Sequence, residues 1–121
     1  MISAGFVMIK VLKSKIHRAC VTDVNIQYEG SITIDRELLD IAGIKTYEFV
    51  DVWNVTNGER FETYVIEGEK GSRKICINGA AARMAAPSDL VIIASHRYIP
   101  EDISDSHEPV IVMVDENNNP K

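Results

Sequence analysis

Cysteine is scarce in this chain, with only Cys20 and Cys76 in 121 residues. Two thiols make no disulfide framework, so both are expected free, in a reducing compartment such as the cell interior. Positive charge is also short. Lys and Arg number 13 against 18 Asp and Glu, a net charge of -5 with no basic run, which gives no electrostatic support for nucleic-acid binding or an anionic membrane surface. No apolar run approaches the ~20 residues of a membrane span. Met1 to Val7 is mildly apolar but lacks the basic start and the length of a signal peptide. Asn54-Val55-Thr56 matches a glycosylation sequon, and without a secretory signal it reads as accidental.

What remains is an ordinary globular composition, 45% apolar and 26% charged, long enough for one domain over 1–121 that buries ~65% of its unfolded surface. Alternation from Ala19 to Tyr28, with Val24, Ile26 and Tyr28 on one side, predicts a half-buried strand. Ser31 to Ile34 continues it. Asp35 then reads as an N-cap, Leu38, Leu39, Ile41 and Ala42 give a short helical stripe, and Gly43 ends it. Val50–Val55 and Phe61–Ile66 flank Asn57-Gly58, a strong hairpin signal. Arg73–Ile77 reads as a further strand, and Ala80–Ala85 as one or two helical turns stopped by Pro87. Leu90–Ser95 and Val110–Val114 are apolar enough for strands covered on both faces, while Glu116–Lys121 is a polar tail without a packing signal. The fold class is mainly β, a small closed β-barrel with short helices.

The chemistry centres on Tyr28-Glu29-Gly30-Ser31. Gly-Ser is a common turn dipeptide. It is also a place where a serine hydroxyl can attack the preceding carbonyl and turn the peptide into an ester. Elimination and hydrolysis then convert the serine into a pyruvoyl group, an electrophilic ketone capping a new chain that starts at position 31. Glycine suits the preceding position because it has no Cβ and adopts conformations that strain other residues. Lys15-Ile16-His17-Arg18 is a basic cluster, or else a solvated strand start. Arg60 and Tyr64, four apart in a strand, point the same way; an arginine can grip a carboxylate and a tyrosine can deliver a proton. Thr63 faces oppositely unless a bulge intervenes. Asn78-Gly79-Ala80-Ala81-Ala82 joins an amide to small residues whose backbone can approach a ligand, or is simply a turn into a short helix.

Taken in order and at their spacing, these segments, with Trp53-Asn54-Val55-Thr56-Asn57-Gly58 and Gly71-Ser72-Arg73, resemble the bacterial pyruvoyl-dependent aspartate 1-decarboxylases from about Met8 to Val114. The resemblance implies self-cleavage between Gly30 and Ser31 into a β chain, 1–30, and an α chain, 31–121, that begins with pyruvoyl. It gives Ser31 and Tyr64 catalytic roles, and lets Thr63 assist cleavage. Lys15 and Arg60 would hold substrate carboxylates, Asn78 would sit near the imine, and Trp53, Ala80 and Ala81 would line the pocket. Also implied are a double-psi β-barrel, a cytoplasmic homotetramer with sites at subunit interfaces, L-aspartate as substrate, and β-alanine for pantothenate synthesis. The covalent pyruvoyl group would be the cofactor, with no metal and no pyridoxal phosphate; a maturation factor is compatible. Met1 to Val7 precedes Met8-Ile9-Lys10, where members of the family usually begin, so it reads as an early assigned start or a cloning remnant, away from the site.

Three other readings use the same residues. In a non-catalytic barrel binding an acidic ligand or a protein, Gly30-Ser31 is a plain turn. A second enzyme class would use Lys15 as a Schiff-base nucleophile or bind pyridoxal phosphate. A metal site built from His17, His96, His107 and the cysteines matches no zinc spacing.

Overall fold

Met8–Cys20 forms a single long strand, β1, in the computed structural model, which describes residues 7–121. The expectation for Met1 to Val7 falls almost wholly outside the described residues. After β1 come β2 (Asp23–Asn25), β3 (Ser31–Asp35), helix α1 (Arg36–Ala42), β4 (Phe49–Asn54), β5 (Arg60–Gly68), β6 (Ile75–Asn78), β7 (Leu90–Pro100) and β8 (Val110–Met113). Two 3₁₀ turns, Gly79–Met84 and Glu101–Ser106, precede and follow β7.

The strands make one eight-stranded mixed sheet, ordered β2-β6-β3-β5-β4-β7-β1-β8. It curls around one apolar core in which Ile16, Ile32, Ile34, Val52, Ile77 and Ile93 are fully buried. The alternation that puts Ile32 and Ile34 inward turns Ser31 and Thr33 to the other face. Mainly β with short helices is thus the observed class. Among the described residues no strand pairing joins β2 to β8, and the C-terminal tail ties β1 to the loop before β6. Asn118 accepts from the Cys20 N–H at 2.6 Å and donates to the carbonyls of Cys20 and Arg73.

Asp35 does more than cap α1. Buried and 0% exposed, it accepts from the backbone N–H of Glu37, Gly71 and Arg73 at 2.8, 2.9 and 2.7 Å and from the Arg73 guanidinium at 2.9 Å. Burial pushes its carboxyl up, but these donors together outweigh that and hold it below the usual value. The end of β3, the start of α1 and the loop before β6 are thereby tied at one point.

Several expectations are corrected. The strand expected over Ala19–Tyr28 shrinks to Asp23–Asn25, because Asn25 accepts from Gln27 N–H and Tyr28 N–H and starts a turn that leaves Ile26 and Tyr28 exposed. Arg73 lies outside β6, with φ +60, its side chain committed to Asp35. β8 is not covered on both faces, since Val110, Ile111 and Met113 are exposed. The tail is packed, because Asn118 is buried.

Candidate active site

β3 starts at Ser31 and runs antiparallel to β6, which sets Ser31 opposite Asn78 and Thr33 opposite Cys76. Ser31 and Asn78 are 1% and 2% exposed. Asn78 Nδ2 donates to Ser31 Oγ and to Thr33 Oγ1, both at 3.0 Å. The Ser31 hydroxyl in turn donates to the Glu29 carbonyl at 3.1 Å, and the Cys76 thiol donates to Asn78 Oδ1 at 3.2 Å. Beside them lies a depression of about 260 Å³ lined by Asn25, Tyr28, Thr33, Ile66, Cys76 and Asn78, among others. A larger hollow of about 390 Å³ lies by α1 between Arg36, Asp40 and Glu67, whose charges already pair with one another.

Gly79 holds the next place, with φ +67, a conformation that a side chain strains. A Cβ on it would lie 2.6 Å from both Cα and N of Gly30 and 3.1 Å from the Tyr28 carbonyl oxygen. The backbone at 79 therefore rests directly on the backbone at 30. Gly30 itself differs from expectation: its φ lies outside the left-handed range, and a Cβ there would meet nothing within 4 Å. The steric demand for glycine falls on position 79.

β5 lies parallel to β3 with Val65 beside Ile32; counted back, this register aligns Tyr64 with Ser31 and Thr63 with Gly30. The β4–β5 ladder runs from Phe49 opposite Tyr64 to Trp53 opposite Arg60 without a shift, so no bulge turns Thr63 round. Thr63 is buried facing inward, and Arg60, Glu62 and Tyr64 share the outer face. Tyr64 packs against two aromatic rings that were not singled out in the sequence, Tyr47 at 6.3 Å and Phe49 at 6.0 Å between centroids. The Arg60 guanidinium sits 4.7 Å over the Trp53 ring, a cation–π contact that desolvates one side of the cation.

Lys15 lies farther off. Its neighbours Ser14 and Ile16 are buried, so its side chain takes the outer face of β1, next to Ala94 and Ile111. From β3 the order β5, β4, β7, β1 must be crossed to reach it, roughly 19 Å along the sheet. Ala80 is exposed at the start of the 3₁₀ turn, while Ala81 packs against the core. The structure thus gathers Gly30, Ser31, Asn78 and Gly79, with Tyr64 one place beyond the β3–β5 ladder, and leaves Thr63 on the core-facing side of β5, Arg60–Trp53 at the hairpin end and Lys15 four strands away along the sheet.

The histidines are dispersed. His17 is half-buried with no partner for Nδ1 among the described residues; burial, then the charges of Lys15 and Arg18, lower its pKa. His96 faces Asp51 at 3.5 Å, and His107 Nε2 lies 2.6 Å from the Leu12 carbonyl. Among the described residues no group of three or more His, Cys, Asp or Glu is placed to hold a metal ion. No helix among them is long and apolar enough to cross a membrane.

A family model described as Aspartate decarboxylase matches residues 7–121. Aspartate 1-decarboxylase of Legionella pneumophila strain Paris is 62% identical over 109 residues, covering 90% of this chain and 82% of that protein. The enzyme of the same name from Syntrophotalea carbinolica is 60% identical over 111 residues, 92% of this chain and 85% of its own. That from Leptospira biflexa strain Patoc 1 (Ames) is 54% identical over 115 residues, 94% and 98% of the two chains. Fold, site and relatives together define the class as carboxy-lyase. Within that class the chain belongs to the aspartate decarboxylase family.

Proposed function

We propose that this chain decarboxylates L-aspartate to β-alanine and CO2 with a pyruvoyl group made from its own Ser31, supplying pantothenate synthesis in the cytoplasm. The observation that carries the reading is a buried serine hydroxyl held by Asn78 beside a Gly30 backbone on which Gly79 rests. A plain turn needs neither. The donor set also fits a carbonyl at position 31, since a ketone only accepts and Asn78 already aims one N–H at that side chain.

Self-cleavage proceeds through an ester. Ser31 Oγ adds to the Gly30 carbonyl carbon, its proton passes to the nitrogen of residue 31, and the Gly30–Ser31 C–N bond breaks to leave an ester and a free amine. The Thr63 hydroxyl, aligned with Gly30, donates to the developing oxyanion. Loss of the Ser31 Cα proton with rupture of its Cβ–O bond frees the Gly30 carboxylate and leaves dehydroalanine, which takes up one water and releases ammonia. The products are a β chain, 1–30, and an α chain, 31–121.

A pyruvoyl group at position 31 supplies a ketone for the substrate amine and a sink for the electron pair left when CO2 departs. Asn78 holds the oxygen at that position, Tyr64 returns a proton to carbon, and Arg60 and Lys15 grip the two carboxylates of the dianion. Trp53, Ala80 and Ala81 line the pocket. The span from Lys15 to Ser31 along one sheet supports delivery of Lys15 by a second copy, in a homotetramer with its sites between subunits. Exposed Phe49, Ile111 and Met113 give the outer sheet face apolar surface for such contacts.

Intact mass under denaturing conditions tests the reading. Two masses split after Gly30, the larger carrying pyruvoyl, are expected together with β-alanine release, and Ser31→Ala should stay whole and inactive. One unmodified mass after warming and exposure to cell extract containing maturation factors, or activity that survives Ser31→Ala, would overturn it in favour of a binding barrel or a pyridoxal-phosphate enzyme.

A further inference from the structure

We propose that Cys76 is a positioning residue whose buried thiol fixes the direction of the Asn78 amide, so that its N–H face and not its oxygen meets position 31. The inference rests on the cleavage reading above. An asparagine amide is almost symmetric in shape, and only hydrogen bonding sets which end points where. The Ser31 and Thr33 hydroxyls, each 3.0 Å from Asn78 Nδ2, can donate or accept, so alone they would tolerate either orientation. A one-way partner has to break the tie.

Two such partners stand at the ends of the chain of contacts. At one end the Glu29 carbonyl takes the Ser31 proton at 3.1 Å, which turns the Ser31 lone pairs towards Asn78. At the other the Cys76 S–H meets Asn78 Oδ1 at 3.2 Å. Cys76 is 3% exposed on the same face of β6 as Asn78. Burial first, and then a hydrogen bond to the Asp23 carboxylate on the neighbouring strand and its charge, push the Cys76 pKa up to about 11, so at neutral pH the thiol keeps its one proton, for which Asn78 Oδ1 at 3.2 Å and Asp23 are the two acceptors. The polarity therefore runs from Cys76 through Asn78 to Ser31 and on to Glu29.

The same polarity serves after cleavage. A ketone at position 31 accepts and cannot donate, so an inverted amide would oppose oxygen to oxygen. An apolar side chain of similar size in place of the thiol should leave the fold in place and let the amide invert.

Cys76→Val removes the donor, and Cys76→Ser keeps one. Full-length wild type and both variants would be warmed, the rate of splitting after Gly30 read by intact mass, and thermal midpoints recorded alongside. Splitting should slow about five- to tenfold in Cys76→Val, the worth of one hydrogen bond, and stay within about twofold of wild type in Cys76→Ser. Equal rates in Cys76→Val and wild type would overturn the inference alone. So would a Cys76→Ser variant as slow as Cys76→Val, which would assign the effect to packing. A wild-type chain that never splits would overturn the cleavage reading and this inference with it.

Discussion

Replacing Gly79 with alanine puts one methyl group where the structure has room for none. Two costs follow. Alanine at φ +67 loses about 1–2 kcal/mol to the left-handed backbone. The new Cβ would also sit 2.6 Å from Gly30 Cα and N, whereas carbon atoms rest at about 3.5–4.0 Å. Both atoms are backbone, so no rotamer relieves the contact and the two segments must part by roughly 1 Å. Displacement of that size at a reacting centre costs on the order of 100-fold in rate. Gly30→Ala is the control, because its Cβ meets nothing within 4 Å and should cost little stability. Urea midpoints would be measured on a Ser31→Ala background, where splitting cannot interfere, and splitting rates on the native serine. The expected result for Gly79→Ala is a loss of about 1–3 kcal/mol with splitting about 100-fold slower. Gly79→Ala that splits within threefold of wild type at unchanged midpoint would refute the steric argument.

Asp35→Ala should cost about 3–5 kcal/mol in urea unfolding, since three backbone donors and Arg73 lose a buried acceptor. Because the folded carboxyl has its pKa lowered, its contribution is complete above the unfolded value, ~3.9, and fades as pH falls through the lower folded value; Asp35→Asn should flatten the acid limb of a stability profile. Asn118→Ala strips partners from the Cys20 and Arg73 backbone and should lower stability by about 1–3 kcal/mol, a value read by thermal melting. Ser14 and Ser95, both fully buried with their hydroxyls 2.8 Å apart, offer a double-mutant cycle: each alanine alone should destabilise, and the pair together should cost less than the sum.

The hairpin was legible because Asn57-Gly58 sits between runs of strong strand formers, and α1 because Asp35 and Gly43 bracket its apolar stripe. β1 was not, since its pairing with β7 shifts register between Leu12 and Ser14 and again between Ile16 and Ala19, which breaks the two-residue rhythm. The run to Tyr28 carried a misleading rhythm; the turn begun by Asn25 overrode it. Asn118 is polar and buried, so hydropathy pointed the wrong way. At the site, the Arg60–Tyr64 face followed from spacing alone. The join of Ser31 to Asn78 did not, because it is made by strand pairing across 47 positions. In the sequence Cys76 and Gly79 are only a free thiol and a turn residue, and what they touch is set by that pairing.

β1 lies between β7 and β8, paired with β7 from Met8–Pro100 to Cys20–Leu90 and with β8 through Ser14–Val110 to His17–Met113. A chain split after Gly30 keeps that strand paired on both sides with no covalent tie to either neighbour. Unfolding such a molecule would scatter two pieces, and refolding would need an encounter between them at bulk concentration instead of the millimolar effective concentration a connecting loop provides. The split protein would then reassemble in a second-order step, and its melting point would rise with protein concentration.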